Sequence, residues 1–242
     1  MKTYYSILSL VIIAMVFFSC SSEEGQKDVT IKAKLVYEGE PLVMFEDYTY
    51  PTGETMYFTR FSFFIDNMTL GENLLSERDY IDLSNSHLTR SDAQSGQVIA
   101  SGKIDPGMYT LAFGIGVDPS LNAMTPVNFS ADDVLSNVAE YWPGWESYVF
   151  VKAEGKIDLD GDGEKETGFA LHLGADSAYR SISYQNIDLD NNSSTDIAID
   201  MKAFFGEIGS YYDIASVPQI HTPEQDEQVA ELADNLKLAF GN

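Results

Sequence analysis

Apolar and polar residues alternate along most of this chain. Val29, Ile31, Ala33, Leu35 and Tyr37 are interleaved with Thr30, Lys32 and Lys34, the pattern of a strand that buries one face. The stretch 57–65 repeats the alternation with aromatic residues: Tyr57, Phe58, Phe61, Phe63 and Phe64. Further β-type runs fall at 80–84, 97–104, 107–117, 147–158, 167–173, 180–189 and 195–204, separated by clusters of Gly, Asn, Asp and Pro. Many short strands with turn signals between them predict a mainly β fold, an antiparallel β-sandwich of Ig-like or related type, rather than βαβ units. Two helices interrupt the pattern. Ser130 is placed to cap a short helix over 131–139. A C-terminal helix over 223–240 has Thr222 as cap, Pro223 in its first turn and Gln225 completing a capping box. Its apolar stripe, Val229, Leu232, Ala233, Leu236 and Phe240, is read as core packing.

The N-terminus departs from the alternation. Lys2 precedes an unbroken apolar run over 7–18, too short for a membrane-spanning helix, which needs about 20 residues, but suited to a signal peptide. Ser19 then precedes Cys20, the only cysteine, in an arrangement that resembles a bacterial lipobox. Ser21-Ser22-Glu23-Glu24 resembles the acidic export tag of surface lipoproteins in Bacteroidetes. The expected organisation is a lipoprotein signal peptide at 1–19, a tether at 20–28 and one domain at 29–242. Lipidated Cys20 would anchor the chain in the outer membrane of a Gram-negative cell, exposed at the cell surface. The alternative is a cleaved signal with an incidental cysteine.

Composition narrows the function. With 44% hydrophobic and 12% aromatic residues, the chain can build a sizeable core. Fourteen basic against 38 acidic residues give a net charge of −24, which repels phosphate backbones and argues against nucleic-acid binding. Such a surface suits cations.

The sharpest local motif is Asp158-Leu159-Asp160-Gly161-Asp162-Gly163-Glu164-Lys165-Glu166. Side-chain oxygens of Asp158, Asp160, Asp162 and Glu166 and the carbonyl of Glu164, with Gly163 at the bend, match a calcium loop mounted on a hairpin. Its alternative is a solvated acidic turn. The segment 188–196 repeats the acidic spacing but has Ser193 where glycine belongs, and reads as a plain turn.

Three histidines are present. His87 lies in a polar stretch and is expected at the surface. His172 shares a strand face with Ala170. His221 precedes the cap of the last helix, whose positive end disfavours protonation and keeps the imidazole able to bind a metal. His172 and His221 could form a copper site if the fold brings them together. Both tryptophans, Trp142 and Trp145, lie in one aromatic cluster, read either as a plug where a loop enters a strand or as a ligand or redox element. No nucleophile elbow or phosphate-cradling glycine loop is found, and no enzymatic activity is expected.

Several segments, in order, resemble the MbnP-like copper-binding protein family: Phe61-Ser62-Phe63-Phe64-Ile65 with Leu70; Gly114-Ile115-Gly116-Val117-Asp118 with Asn122; Tyr141-Trp142; Tyr148 to Gly155; Phe169 to Gly174; and Ala233-Asp234-Asn235 with Phe240. The resemblance implies a β-rich, surface-anchored protein that binds copper for acquisition or handling. It implies His172 and His221 as ligands. It also implies oxidation of a tryptophan to kynurenine, Trp142 first and Trp145 second, by a di-haem peroxidase partner of the MauG type. Glu140 stands where methionine is usual in that family. The competing expectation is a calcium-stabilised sandwich for adhesion or ligand binding, without copper.

Overall fold

A computed structural model describes residues 25–207 and 209–242. The signal segment, Cys20 and the start of the tether lie outside them. The first alternating stretch is strand β1 (Lys27–Tyr37), and the aromatic one is β2 (Thr55–Leu70). They are followed by β3 (Asn73–Asp82), β4 (Gln97–Ile104) and β5 (Met108–Ile115). Next come β6 (Tyr141–Trp142), β7 (Ser147–Ile157), β8 (Thr167–Gly174), β9 (Arg180–Asp188), β10 (Ser194–Asp200) and β11 (Gln219–Ile220).

The strands make a β-sandwich. In the smaller sheet β1 lies between β10 and β4. In the larger sheet the long β2 is the hub. One of its edges carries β3, and the other is shared by β7 along 56–63 and β5 along 65–70. Beyond β7 the sheet continues through β8 to β11, and beyond β5 to β9. Most pairings are antiparallel, as expected, but β1 with β10 and β8 with β11 run parallel.

Val29, Ile31, Ala33 and Leu35 of β1 join Phe58, Phe61 and Phe63 of β2 in one buried core. The C-terminal helix α2 (Asp226–Ala239), preceded by a 3-10 turn at Pro223–Gln225, buries the expected stripe. Phe240 then meets Phe63 and Phe113 edge-on, at ring separations of 5.7 and 6.0 Å. Strand β7 is buried on both faces from Ser147 to Ala153, because the chain between β5 and β7 folds over the outer face of the larger sheet. There Tyr148 packs against Phe64, Phe129 and Tyr141, and its hydroxyl donates to the Leu135 carbonyl at 2.7 Å.

Three expectations are corrected. The helix over 131–139 is two 3-10 turns, Val134–Ser136 and Val138–Glu140. The carboxylate of Asp133 accepts from Leu135 N and the amide oxygen of Asn137 from Ala139 N, so side chains take the donors that an α-helical start would orient along its axis. The run 195–204 leaves the sheet at Asp200, whose side chain caps the short helix α1 (Met201–Phe205). His87 is fully buried, not at the surface. Its Nε2 accepts from Leu35 N at 2.9 Å and its Nδ1 lies 2.9 Å from the Leu83 carbonyl, so a neutral imidazole pins β1 to the chain after β3.

Candidate metal centre

Strand β8 alternates cleanly: Phe169, Leu171 and Leu173 enter the core, while Ala170 and His172 face outward. Its parallel neighbour β11 pairs Gln219 with Ala170 and Ile220 with Leu171. Continuing that register by one residue sets His221 beside His172 on the same face. Adjacent strands lie about 4.8 Å apart, which accounts for the two imidazole centroids standing 4.9 Å apart with their planes within 10°. Gln225, in the turn leading to α2, fixes the backbone there. Its Oε1 accepts from His221 N at 2.8 Å and Thr222 N at 3.1 Å, and its Nε2 donates to the Gln219 carbonyl at 2.7 Å.

The tryptophans close the site. Trp142 stands edge-on to His221 at 5.2 Å and to His172 at 6.1 Å, and stacks on Trp145 at 5.8 Å. Trp145 lies on the backbone of Gly174, where a Cβ would come within 2.1 Å of its ring. The loop that carries them is tied down by buried Asn122. Its Oδ1 accepts from Ser147 Oγ and Tyr148 N, both at 3.0 Å, and its Nδ2 donates to Asp176 at 2.9 Å.

Among the described residues, His172 and His221 each keep one ring nitrogen buried and without a hydrogen-bond partner: Nδ1 of His172 and Nε2 of His221. The other nitrogen of His172, Nε2, is 2.9 Å from Glu154 Oε1. That contact, helped by Arg60 and Lys152, holds the Glu154 carboxyl below the usual carboxylate range despite its partial burial. Burial, and then the neighbouring His172, push the His221 imidazole below the ordinary histidine value and favour its neutral form. With metal–nitrogen bonds of about 2 Å, two imidazoles that share an ion have centroids no more than about 6.5 Å apart. These rings lie within that distance, and because their planes are nearly parallel a ring rotation is needed to aim both in-plane lone pairs at one ion.

Behind the rings runs a chain of charges. Lys152, the cross-strand partner of His172, places its Nζ 2.6 Å from Glu140 Oε2, both side chains being buried. Arg60 lies 3.6 Å from the other Glu140 oxygen and 4.0 Å from Glu154, and donates to Tyr80 Oη at 2.9 Å. Sequence reasoning misses this set. The available signal is Lys152 and Glu154 at alternate positions after the apolar run Tyr148–Val151, in phase with His172 of the next strand.

The acidic loop is a separate place. Oxygens of Asp158, Asp160, Asp162 and Glu166 lie within 4.8 Å of one another, a group able to hold a metal ion. The Glu164 side chain is exposed and outside that group. Asp158 accepts from Gly161 N at 2.7 Å and Gly163 N at 2.9 Å, which shapes the bend. In the second loop, the Asp188 carboxylate is engaged by Asp190 N, Asn191 N and the Asn191 amide, the bonding of a plain turn.

A family model described as MbnP matches residues 26–222. The solved structure of MbnP from Methylosinus trichosporium is similar with a TM-score of 0.53 at 12% sequence identity, over 75% of this chain and 78% of that one. No curated protein matches. The structural likeness speaks to the fold, while the family match spans Trp142, Trp145, His172 and His221. The chain belongs to the MbnP family.

Proposed function

We propose that this chain binds copper, as cargo, at the His172–His221 pair, and does so as a protein held by a lipid on Cys20 at the outer membrane of a Gram-negative cell. The observation that carries the reading is the pair of orphaned buried nitrogens, His172 Nδ1 and His221 Nε2, on adjacent rings. An unpartnered buried polar atom costs about 1–3 kcal/mol, and an ion between two imidazole lone pairs would remove both penalties. Imidazole suits several transition metals; membership of a family linked to copper handling supports copper among them.

Trp142 packs against both rings at steep interplanar angles, its centre 5.2 Å from His221 and 6.1 Å from His172. It is therefore the indole best placed for oxidation to kynurenine by a MauG-type di-haem peroxidase, with Trp145 stacked behind it. The role is binding rather than catalysis. The nearby carboxylates are committed, Glu140 to Lys152 and Arg60, and Glu154 to His172.

The four-carboxylate group at 158–166 favours a second reading, in which calcium braces this hairpin and the protein acts as an adhesion or ligand-binding module. Metal content and peptide mass of the protein from its native host separate the two. The copper reading expects about one copper per chain and a gain of about 4 Da on the Trp142 peptide, since kynurenine formation adds an oxygen and removes a carbon. Calcium alone, with unmodified tryptophans, supports the binding module.

A further inference from the structure

We propose that Glu154 is the positioning residue that selects Nδ1 of His172 as the nitrogen presented to the metal. This inference rests on the copper reading for its ligand, but its structural half can be tested without copper.

A neutral imidazole carries one N–H and one lone pair, and the hydrogen bond at one nitrogen fixes which is which. An ionised carboxylate only accepts. In the neutral ring, the form that can bind a metal, the 2.9 Å contact between Glu154 Oε1 and His172 Nε2 therefore puts the proton on Nε2 and the lone pair on Nδ1. Nδ1 is the buried, unpartnered atom of this ring. Glu154 is itself held from two sides. It sits mid-strand in β7, paired with Ala170 of β8 and with Arg60 of β2. The Arg60 guanidinium, 4.0 Å from the same carboxylate oxygen, is braced by Tyr80 and Ser62. His221 has no carboxylate partner among its hydrogen bonds to the described residues; its position comes from the β11 register and Gln225. The two ligands are thus oriented by different means, one by a side chain and one by backbone.

Partners of this kind, behind a metal-bound histidine, typically contribute 10–100-fold in affinity. The test compares wild type, Glu154→Ala and Glu154→Gln as full chains, each first checked for an unchanged melting transition. In the metal-free wild type, nitrogen-15 NMR of the imidazoles should show the His172 proton on Nε2, slow to exchange. In Glu154→Ala that proton should exchange rapidly and copper binding should weaken by about 10–100-fold. Glu154→Gln keeps an acceptor and should recover most of the affinity. A His172 proton found on Nδ1 in the wild type overturns the proposal, as does a Glu154→Ala variant that binds copper like the wild type. If the wild type takes up no copper, the functional reading falls. The spectrum then decides this one alone: Nε2–H upholds it and Nδ1–H overturns it.

Discussion

His172 and His221 are brought side by side by main-chain register: Leu171 pairs with Ile220 in a parallel ladder, and each histidine is the next residue along. A two-residue strand has few hydrogen bonds of its own, so its hold on His221 depends on the turn at its C-terminal end. Gln225 supplies that hold. Gln225→Ala should lower stability by about 0.5–2 kcal/mol, the usual cost of a lost cap. It should also weaken copper binding by about tenfold by freeing His221. Denaturant melts and competitive copper titration read the two effects separately. Full retention of affinity would show that the register alone suffices.

The pair Lys152–Glu140 is a buried ion pair beside the site. Removing one partner of such a pair strands a charge and costs about 3–5 kcal/mol, whereas replacing both with apolar residues is often neutral. Glu140→Met alone should therefore destabilise strongly, and Lys152→Met added to it should restore much of the loss. The double-mutant cycle, measured by urea unfolding, checks this. Arg60 also touches Glu140, so recovery should be incomplete.

Gly174 is a glycine because Trp145 lies against it. Gly174→Ala should displace the Trp145 ring, alter the near-ultraviolet dichroism of the stacked tryptophans and cost about 1–3 kcal/mol, as overpacking does. An unaltered dichroic band would mean that the indole pair tolerates the methyl.

His87 makes stability depend on pH. Burial holds its imidazole below the ordinary histidine value, so the unfolded chain takes up a proton before the folded one does. The stabilisation is complete above the unfolded value near 6.5 and is lost as pH falls from there toward the folded value. The slope cannot exceed about 1.4 kcal/mol per pH unit for one proton. His221 shifts in the same direction, so the diagnostic is the difference between wild type and His87→Gln, whose curve should be flatter over this window. Parallel curves would remove His87 as the cause.

Calcium at 158–166 should raise the melting temperature of the wild type, since a ligand at about 100 times its dissociation constant contributes about 2.7 kcal/mol. The pair of changes Asp160→Asn and Asp162→Asn should abolish that rise while leaving the metal-free protein nearly unchanged, because both side chains are exposed. An equal rise in the variant would place the effect elsewhere.

Alternation and turn residues are enough to read most of the long strands, because burial on one face leaves a period of two in the sequence. Strand β3 is met only at its end by the run 80–84, since Ser76, Glu77, Arg78 and Asp79 are polar and its face is only half-buried. The cap of the last helix is legible from Thr222 and Gln225 for a similar reason: capping is local. His87 misleads because its neighbours Ser86 and Thr89 are polar, while what seats it in the interior is Leu35 on β1, distant in sequence. The segment 131–139 misleads because Asp133 and Asn137 serve tight turns as readily as helix starts. The tryptophans and histidines can be named as candidates from sequence, but not joined. The β8–β11 pairing joins them, and a two-residue strand after a long excursion leaves almost no trace in a sequence.

An ion shared by His172 and His221 would be located by anomalous diffraction at the copper absorption edge, from crystals of the copper-loaded protein. One strong peak is expected between His172 Nδ1 and His221 Nε2, close to Trp142. A peak confined to the acidic loop, or no peak at all, would contradict copper binding by this pair.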